Sequence, residues 1–373
     1  MPRFFYAGCG EAAGAVLRRT RGSRPPLICI FGALCAFCAA LEFLLPKPLP
    51  FLRLGLSNAP ILLALFLDAK SFFLLVAVKI FCQAFVQGSL FSPFFLFSAL
   101  GGVSSGLVMF VLNRLLGEKK ISLAGLSVCG ALASNLCQIF LARNLVLGKS
   151  AIFIAPPFLI AGFITGLTVG IFCEIFRKKS LWLSCVLREY EKTAGGEMRR
   201  PWEGETGADA QEAAPNKKSV CYLAAGAVFS FILIQTNDII IKFIYFIIIL
   251  IFFILSKKKN NYAVSAVFMA GIVFFNLFPP YGKTIGNFGS FRLTEGALLG
   301  GLDKALTIEC LILVSRLCVK KELRLPGVLG SLVCGTLAVV NKINERKNEI
   351  NPRTLVKSLD ALLFSVFPPE NET

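Results

Sequence analysis

The sequence predicts an all-α, polytopic integral membrane fold, and three observations carry that prediction. Of 373 residues, 55% are hydrophobic, 36 are Phe, and only 16% are charged, against about 25% charged in soluble domains. The apolar residues come in long uninterrupted runs, which read as membrane-spanning helices rather than as spaced core positions. The 39 Lys and Arg residues gather at the ends of those runs, where cytoplasmic loops retain positive charge. That placement accounts for the formal charge of +17 by topology and leaves no basic module for nucleic acid. The partner implied by composition is the lipid bilayer of the cytoplasmic membrane.

Residues 1–26 form an Arg-bearing cytoplasmic N-terminus, followed by the run 27–45 as an uncleaved first helix. Further spans are predicted at about 52–68, 71–87, 91–112, 123–143 and 152–176, which makes residues 27–176 a six-helix membrane domain. Residues 177–218 are polar, with Pro201 and Pro215, and read as a cytoplasmic linker. Residues 219–373 form a second membrane domain with spans at 220–234, 239–255, 262–278 and about 294–319. In the run 326–340, Val328, Leu332, Val339 and Ile343 recur at helical spacing beside Asn341, Lys342 and Glu345. This pattern predicts an interfacial amphipathic helix, with the tail behind it cytoplasmic.

Catalytic chemistry is hard to place on this chain. It has no histidine, so His-based triads and His metal sites are excluded. Gly148-Lys149-Ser150 and Gly282-Lys283-Thr284 lack the leading glycine of a phosphate-binding loop. Asp68, Asp209, Asp238, Asp303 and Asp360 are isolated, so no cluster offers itself to Mg²⁺ and a diphosphate. The thirteen cysteines mostly lie within apolar runs and read as small apolar fillers. Cys35 and Cys38 form a CxxC that no second pair answers. The chain reads as neither an enzyme nor a cofactor carrier.

Polar residues inside spans are costly and face a cavity or another helix. Lys79, Gln83 and Gln87 fall at i, i+4 and i+8 on the third span. Asn135 and Gln138 fall at i and i+3 on the fifth. Arg53 and Asn58 sit at the start of the second span. Amides and cations converging from several helices suit a polar, anionic or heteroaromatic solute; interhelical hydrogen bonding accounts for the same residues equally well. If the solute reading holds, Arg53, Lys79, Gln83, Asn135 and Gln138 share one cavity. Gly32, Ala36 and Ala40 on the first helix and Gly162, Gly166 and Gly170 on the sixth form small-residue faces for close packing or for a partner.

Leu-Arg-Leu-Gly-Leu-Ser-Asn-Ala at 52–59, Gly-Ser-Leu-Phe-Ser-Pro-Phe-Phe at 88–95, Gly101-Gly102, and Asn135 with Gln138 resemble the Gx transporter family. That family is also labelled heptaprenyl diphosphate synthase component I. The resemblance implies a six-helix fold like the solute-binding S components of energy-coupling-factor transporters. It implies that Arg53, Asn58, Asn135 and Gln138 are signature positions and that Gly32, Ala36 and Ala40 form the face that docks on a membrane partner. It also makes a flavin an attractive cargo. The second half, through 291–302 and Val314-Ser-Arg-Leu at 314–317, resembles the T component of such transporters. It lacks the Ala-Arg-Gly-type motifs that engage ATPase subunits, and the amphipathic 326–348 segment is the candidate substitute. The function implied is a transporter component for a small molecule, with ATPase or other membrane subunits as possible partners. The alternatives are a non-catalytic membrane subunit of a prenyl diphosphate or quinone pathway and a subunit of a flavin-dependent electron-transfer system.

Overall fold

A computed structural model describes residues 27–44, 55–87, 89–117, 120–194, 217–236, 238–256, 262–278, 282–288, 291–318, 327–346 and 354–367. The fold is that of an all-α membrane protein with one small β-hairpin. In the first half, α1 (Leu27–Leu44), a short α2 (Ala59–Leu63), α3 (Ala69–Gln87), α4 (Pro93–Leu116), α5 (Leu123–Ala142) and α6 (Ala151–Lys179) follow in order. A π-helical turn, Arg143–Leu147, extends α5, and a 3-10 turn, Gly148–Ser150, leads into α6.

Helix α4, α5 with its extension, and α6 are 24, 25 and 29 residues long and apolar enough to cross a membrane. The surface they present agrees with that setting. Leu100, Val103, Leu107 and Val111 of α4 are exposed while Ser98, Gly101 and Ser105 are buried, an outward apolar face that only a lipid solvent stabilises.

The second span is not a continuous helix. Gly55, at φ +91°, a conformation glycine adopts without penalty, opens a 3-10 turn at Leu56–Asn58. Five residues of α2 follow, with Pro60 in the first turn, and the chain then turns through Ala64–Leu67. The expected span 52–68 is corrected accordingly, and residues 45–54 lie outside the described residues. The apolar count hid the breakers Gly55, Asn58 and Pro60.

The expected linker 177–218 is also partly structured. Helix α6 runs to Lys179, and α7 (Leu181–Ala194) is amphipathic, with Trp182 and Leu183 buried. Tyr190 of α7 meets the Phe66 ring at 5.1 Å, and burial there raises its phenol above the ordinary value.

In the second half, α8 (Lys217–Gln235), α9 (Ile239–Leu255), α10 (Tyr262–Asn276) and α11 (Glu295–Cys318) pack together, with α11 central. The apolar stretches of α8, α9 and α10 are shorter than those of α4–α6. Between α10 and α11 the all-α expectation meets an exception. Strands β1 (Thr284–Phe288) and β2 (Phe291–Thr294) form an antiparallel hairpin with an irregularity between Thr284 and Gly286.

Helix α12 (Gly327–Glu345) forms where the amphipathic pattern places it. Its apolar face does not look outward: Leu332, Val333, Val339, Val340 and Ile343 are buried in the core shared with α1 and α3. The cause is steric fit. Gly32 on α1 leaves room for Thr336 and Val78, whose methyl carbons lie 3.1 Å from where a Cβ would stand.

Helix α13 (Leu355–Val366), which the sequence reading did not contain, closes the chain against the α6–α7 elbow. Asp360 accepts from the Ser180 hydroxyl and from the backbone amides of Leu181 and Trp182, at 3.2 and 3.1 Å for the amides. It caps α7 from a distance of 179 residues along the chain. The Trp182 indole donates to the Phe367 carbonyl at 2.9 Å. Asp360→Ala is expected to cost about 1–2 kcal/mol, read as a lower thermal midpoint and faster proteolysis between α6 and α7.

Candidate functional site: a polar seam along α4

Helix α4 carries Ser98, Gly101 and Ser105 at i, i+3 and i+7, one face over roughly 10 Å of axis. All three are buried. Polar side chains from three other segments reach this face. The Ser98 hydroxyl donates to Gln83 Oε1 of α3 at 3.1 Å. Asn58 Nδ2 donates to Ser105 Oγ at 3.2 Å, and the Lys79 ammonium donates to Asn58 Oδ1. Gln138 of α5 donates to Ser134 Oγ at 3.0 Å. A Cβ on Gly101 would stand 2.8 Å from Ser134 Oγ and 3.2 Å from Gln138 Nε2, so only glycine lets this pair lie against α4.

Asn58 reaches the middle of the bundle because the second span is broken. A continuous helix would present its own backbone there; the 3-10 turn instead ends on Asn58, with α2 running on from it. The segment is held at its far end by Arg114, whose guanidinium donates to the Leu67 carbonyl at 3.3 Å.

Lys79 is 3% exposed, and a buried ammonium is expensive unless paired. Glu42 of α1 is equally buried. Cys38 lies within electrostatic reach of both Glu42 and Lys79, and Cys35 within reach of Lys79. The CxxC of α1 thus borders the seam, and every described cysteine is a free thiol. The arrangement supplies amide and hydroxyl hydrogen bonds, one cation and one nearby carboxylate.

Of the residues singled out from sequence, Asn58, Lys79, Gln83 and Gln138 gather along α4. Asn135 does not join them. Its amide donates to the Phe158 carbonyl of α6 at 2.9 Å and packs where Gly162 leaves space. The expectation of a cavity shared by all five residues is corrected for Asn135. Arg53 and the side chain of Gln87 lie outside the described residues. Ser98, Ser105, Ser134 and Glu42 belong to the seam and were not foreseen. Their signal was weak: a serine in an apolar run reads as a filler, and Glu42 is one charge at the end of the first span.

The small-residue faces pack within the chain. Gly162, Gly166 and Gly170 admit Asn135, Ala131 and Ala124 of α5. On α1, Gly32 meets α12, Ala36 is 1% exposed, and Ala40 is half-buried.

The second half also carries charges within its helices, and Asp303, isolated in the sequence, finds a partner there. Lys242 of α9 pairs with Asp303 of α11 at 2.7 Å. Lys304 donates to Asn276 of α10 at 3.0 Å. Glu309 of α11 is 2% exposed and bonds to Ser265.

Comparison with known proteins finds two family matches. Residues 218–321 match a domain of unknown function, DUF8519. No curated protein and no solved structure matches the chain. The seam, α2 and the α5–α6 packing all fall within residues 31–176, which match the family described as heptaprenyl diphosphate synthase component I.

Proposed function

We propose that the chain is a transporter component whose first half binds a small polar solute in the seam along α4 and whose second half is its membrane scaffold. The observation that carries this reading is the convergence of Lys79, Asn58, Gln83 and Gln138 on one buried face. Packing alone favours local pairs, whereas a seam fed by α3, α5 and the broken second span is how a membrane protein builds a polar site at depth. A solute with a fused polar ring uses the amides for orientation and Lys79 as its charge partner. Riboflavin fits that chemistry and is the first probe.

The α1–α12 contact supports the same reading. The small-residue face of α1, which resembles a docking surface for a membrane partner, is covered here by a helix of the same chain. Energy then comes from an ion gradient or from ATPase subunits that join the chain in the cytoplasmic membrane.

A second reading follows from the description of the matched family: a non-catalytic membrane subunit that handles a polyprenyl diphosphate. Titration of the purified full chain in nanodiscs separates the two. On the transport reading, riboflavin fluorescence is quenched saturably, and Gln138→Leu weakens binding at least tenfold without lowering the thermal midpoint. Saturable binding of a polyprenyl diphosphate, with none of riboflavin or related polar heterocycles, favours the second reading.

A further inference from the structure

Helix ends leave backbone amides and carbonyls without partners in their own helix, and a buried end must find them elsewhere. The turn before α4 and the turn that ends α5 find such partners in the second half. At the start of α4, the Phe91 amide donates to Ser315 Oγ of α11 at 3.1 Å, and Ser315 is fully buried. At the end of α5, the Val146 carbonyl of the π-helical turn accepts from Asn276 Nδ2 at 3.0 Å. Asn276 also donates to Ile272 of its own helix at 2.8 Å and accepts from Lys304. Gly148, at φ +56°, brings the turn close to the Lys304 ammonium, 3.8 Å from where a Cβ would stand.

Lys304 and Ser315 are about 16 Å apart along α11, yet both serve the same end of the first bundle. Between them Ala305, Ile308 and Ile312 belong to the same buried apolar cluster as Phe97, the residue before Ser98 of the seam. Helix α11 therefore lies across the end of the seam: its Ser315 satisfies the Phe91 amide directly, and its Lys304 reaches the Val146 carbonyl through Asn276 of α10. Apolar packing alone would hold that junction. Lys304 instead places a cation against a neutral amide, an arrangement with little net gain in stability but one that can part and re-form, since the half-buried ammonium can take up water.

We infer that Lys304, with Asn276 and Ser315, is a positioning residue that couples the two halves: it ties the α5–α6 turn to α11, so that movement of the second half opens and closes the seam. The inference rests on the transport reading for its purpose and on the hydrogen bonds above for its parts. Asp303, the neighbouring residue, is engaged by Lys242 at 2.7 Å, while Lys304 bonds to Asn276, whose amide reaches the first half at the Val146 carbonyl.

The test uses the full chain with Lys304→Met, Lys304→Arg and Ser315→Ala. Hydrogen exchange should rise several-fold for peptides covering 143–148 in Lys304→Met and for the Phe91 peptide in Ser315→Ala, with the interiors of α4–α6 unchanged. In proteoliposomes, Lys304→Met should lower riboflavin uptake at least tenfold while its Kd stays within twofold, and Lys304→Arg should restore uptake. Unchanged exchange at 143–148, or loss of binding and uptake in parallel, overturns the inference. If the parent chain binds no riboflavin, the transport reading fails for that probe, and the exchange data alone decide whether the halves are coupled through Lys304. If Lys304→Met does not fold, Ser315→Ala decides by the same comparison at Phe91.

Discussion

Lys79→Met should weaken riboflavin binding roughly ten- to hundredfold while leaving the bundle folded. The substitution keeps the length and apolar stem of the side chain and removes only the ammonium. What is lost is the hydrogen bond to Asn58 Oδ1 and the charge offered to a solute. A hydrogen bond to a charged group contributes about 1.5–3 kcal/mol, which converts to roughly ten- to hundredfold in Kd. Folding is less affected, because a buried lysine is itself costly and Met fills the volume. Asn135→Leu is the informative contrast. Its amide serves Phe158 and sits 2.0 Å from where a Cβ on Gly162 would be, so its replacement should lower the thermal midpoint and leave Kd near the parent value. Parallel loss of binding in the two variants would argue against the seam.

Gly170→Leu should be the most damaging single change to the first half. A Cβ there would lie 2.4 Å from Ala124 Cα and 2.9 Å from Ser127 Cβ. The nearest obstacle is backbone, which cannot rotate away, so α5 and α6 must separate along the most extensively packed helix pair among the described residues. Overpacking costs about 1–3 kcal/mol where side chains can adjust; here a cost of about 3 kcal/mol or more is expected, seen as a large drop in thermal midpoint or in yield of monodisperse protein. Ile171→Ala, one residue away on the exposed apolar face, should stay within about 0.5 kcal/mol. Equal losses in the two would mean that the lipid face, and not the glycine face, sets stability.

The readable parts of this chain were those set by bulk hydrophobicity. Helices α4, α5, α6 and α11 fall close to their expected bounds, because long apolar runs closed by charge leave little choice. The second span was misread for the same reason: six Leu or Ile residues between 52 and 63 outweighed Gly55, Asn58 and Pro60, although the breakers decided the backbone. For α12 the pattern gave the apolar face correctly. Amphipathicity cannot say what covers that face, and Gly32 with Thr336 settles it only in three dimensions.

The site shows a similar division. Lys79, Gln83 and Gln138 were conspicuous because such groups are rare and costly within spans. Asn135 and Gln138 were assigned one face because i and i+3 are neighbours. They still point about 60° apart, and α5 lies between α4 and α6, so that angle sends them to different helices. Ser98, Ser105 and Ser134 were silent because a hydroxyl can bond its own helix and needs no partner elsewhere.

The central claim is that the seam holds a small polar molecule, and the measurement that tests it most directly is mass spectrometry of small molecules retained by the purified chain. The parent protein and Lys79→Met are prepared in parallel in mild detergent and denatured. The account predicts a polar, ring-bearing compound released at near-stoichiometric amount from the parent and absent from Lys79→Met. A retained compound present equally in both, or a polyprenyl diphosphate in place of a polar heterocycle, would contradict it.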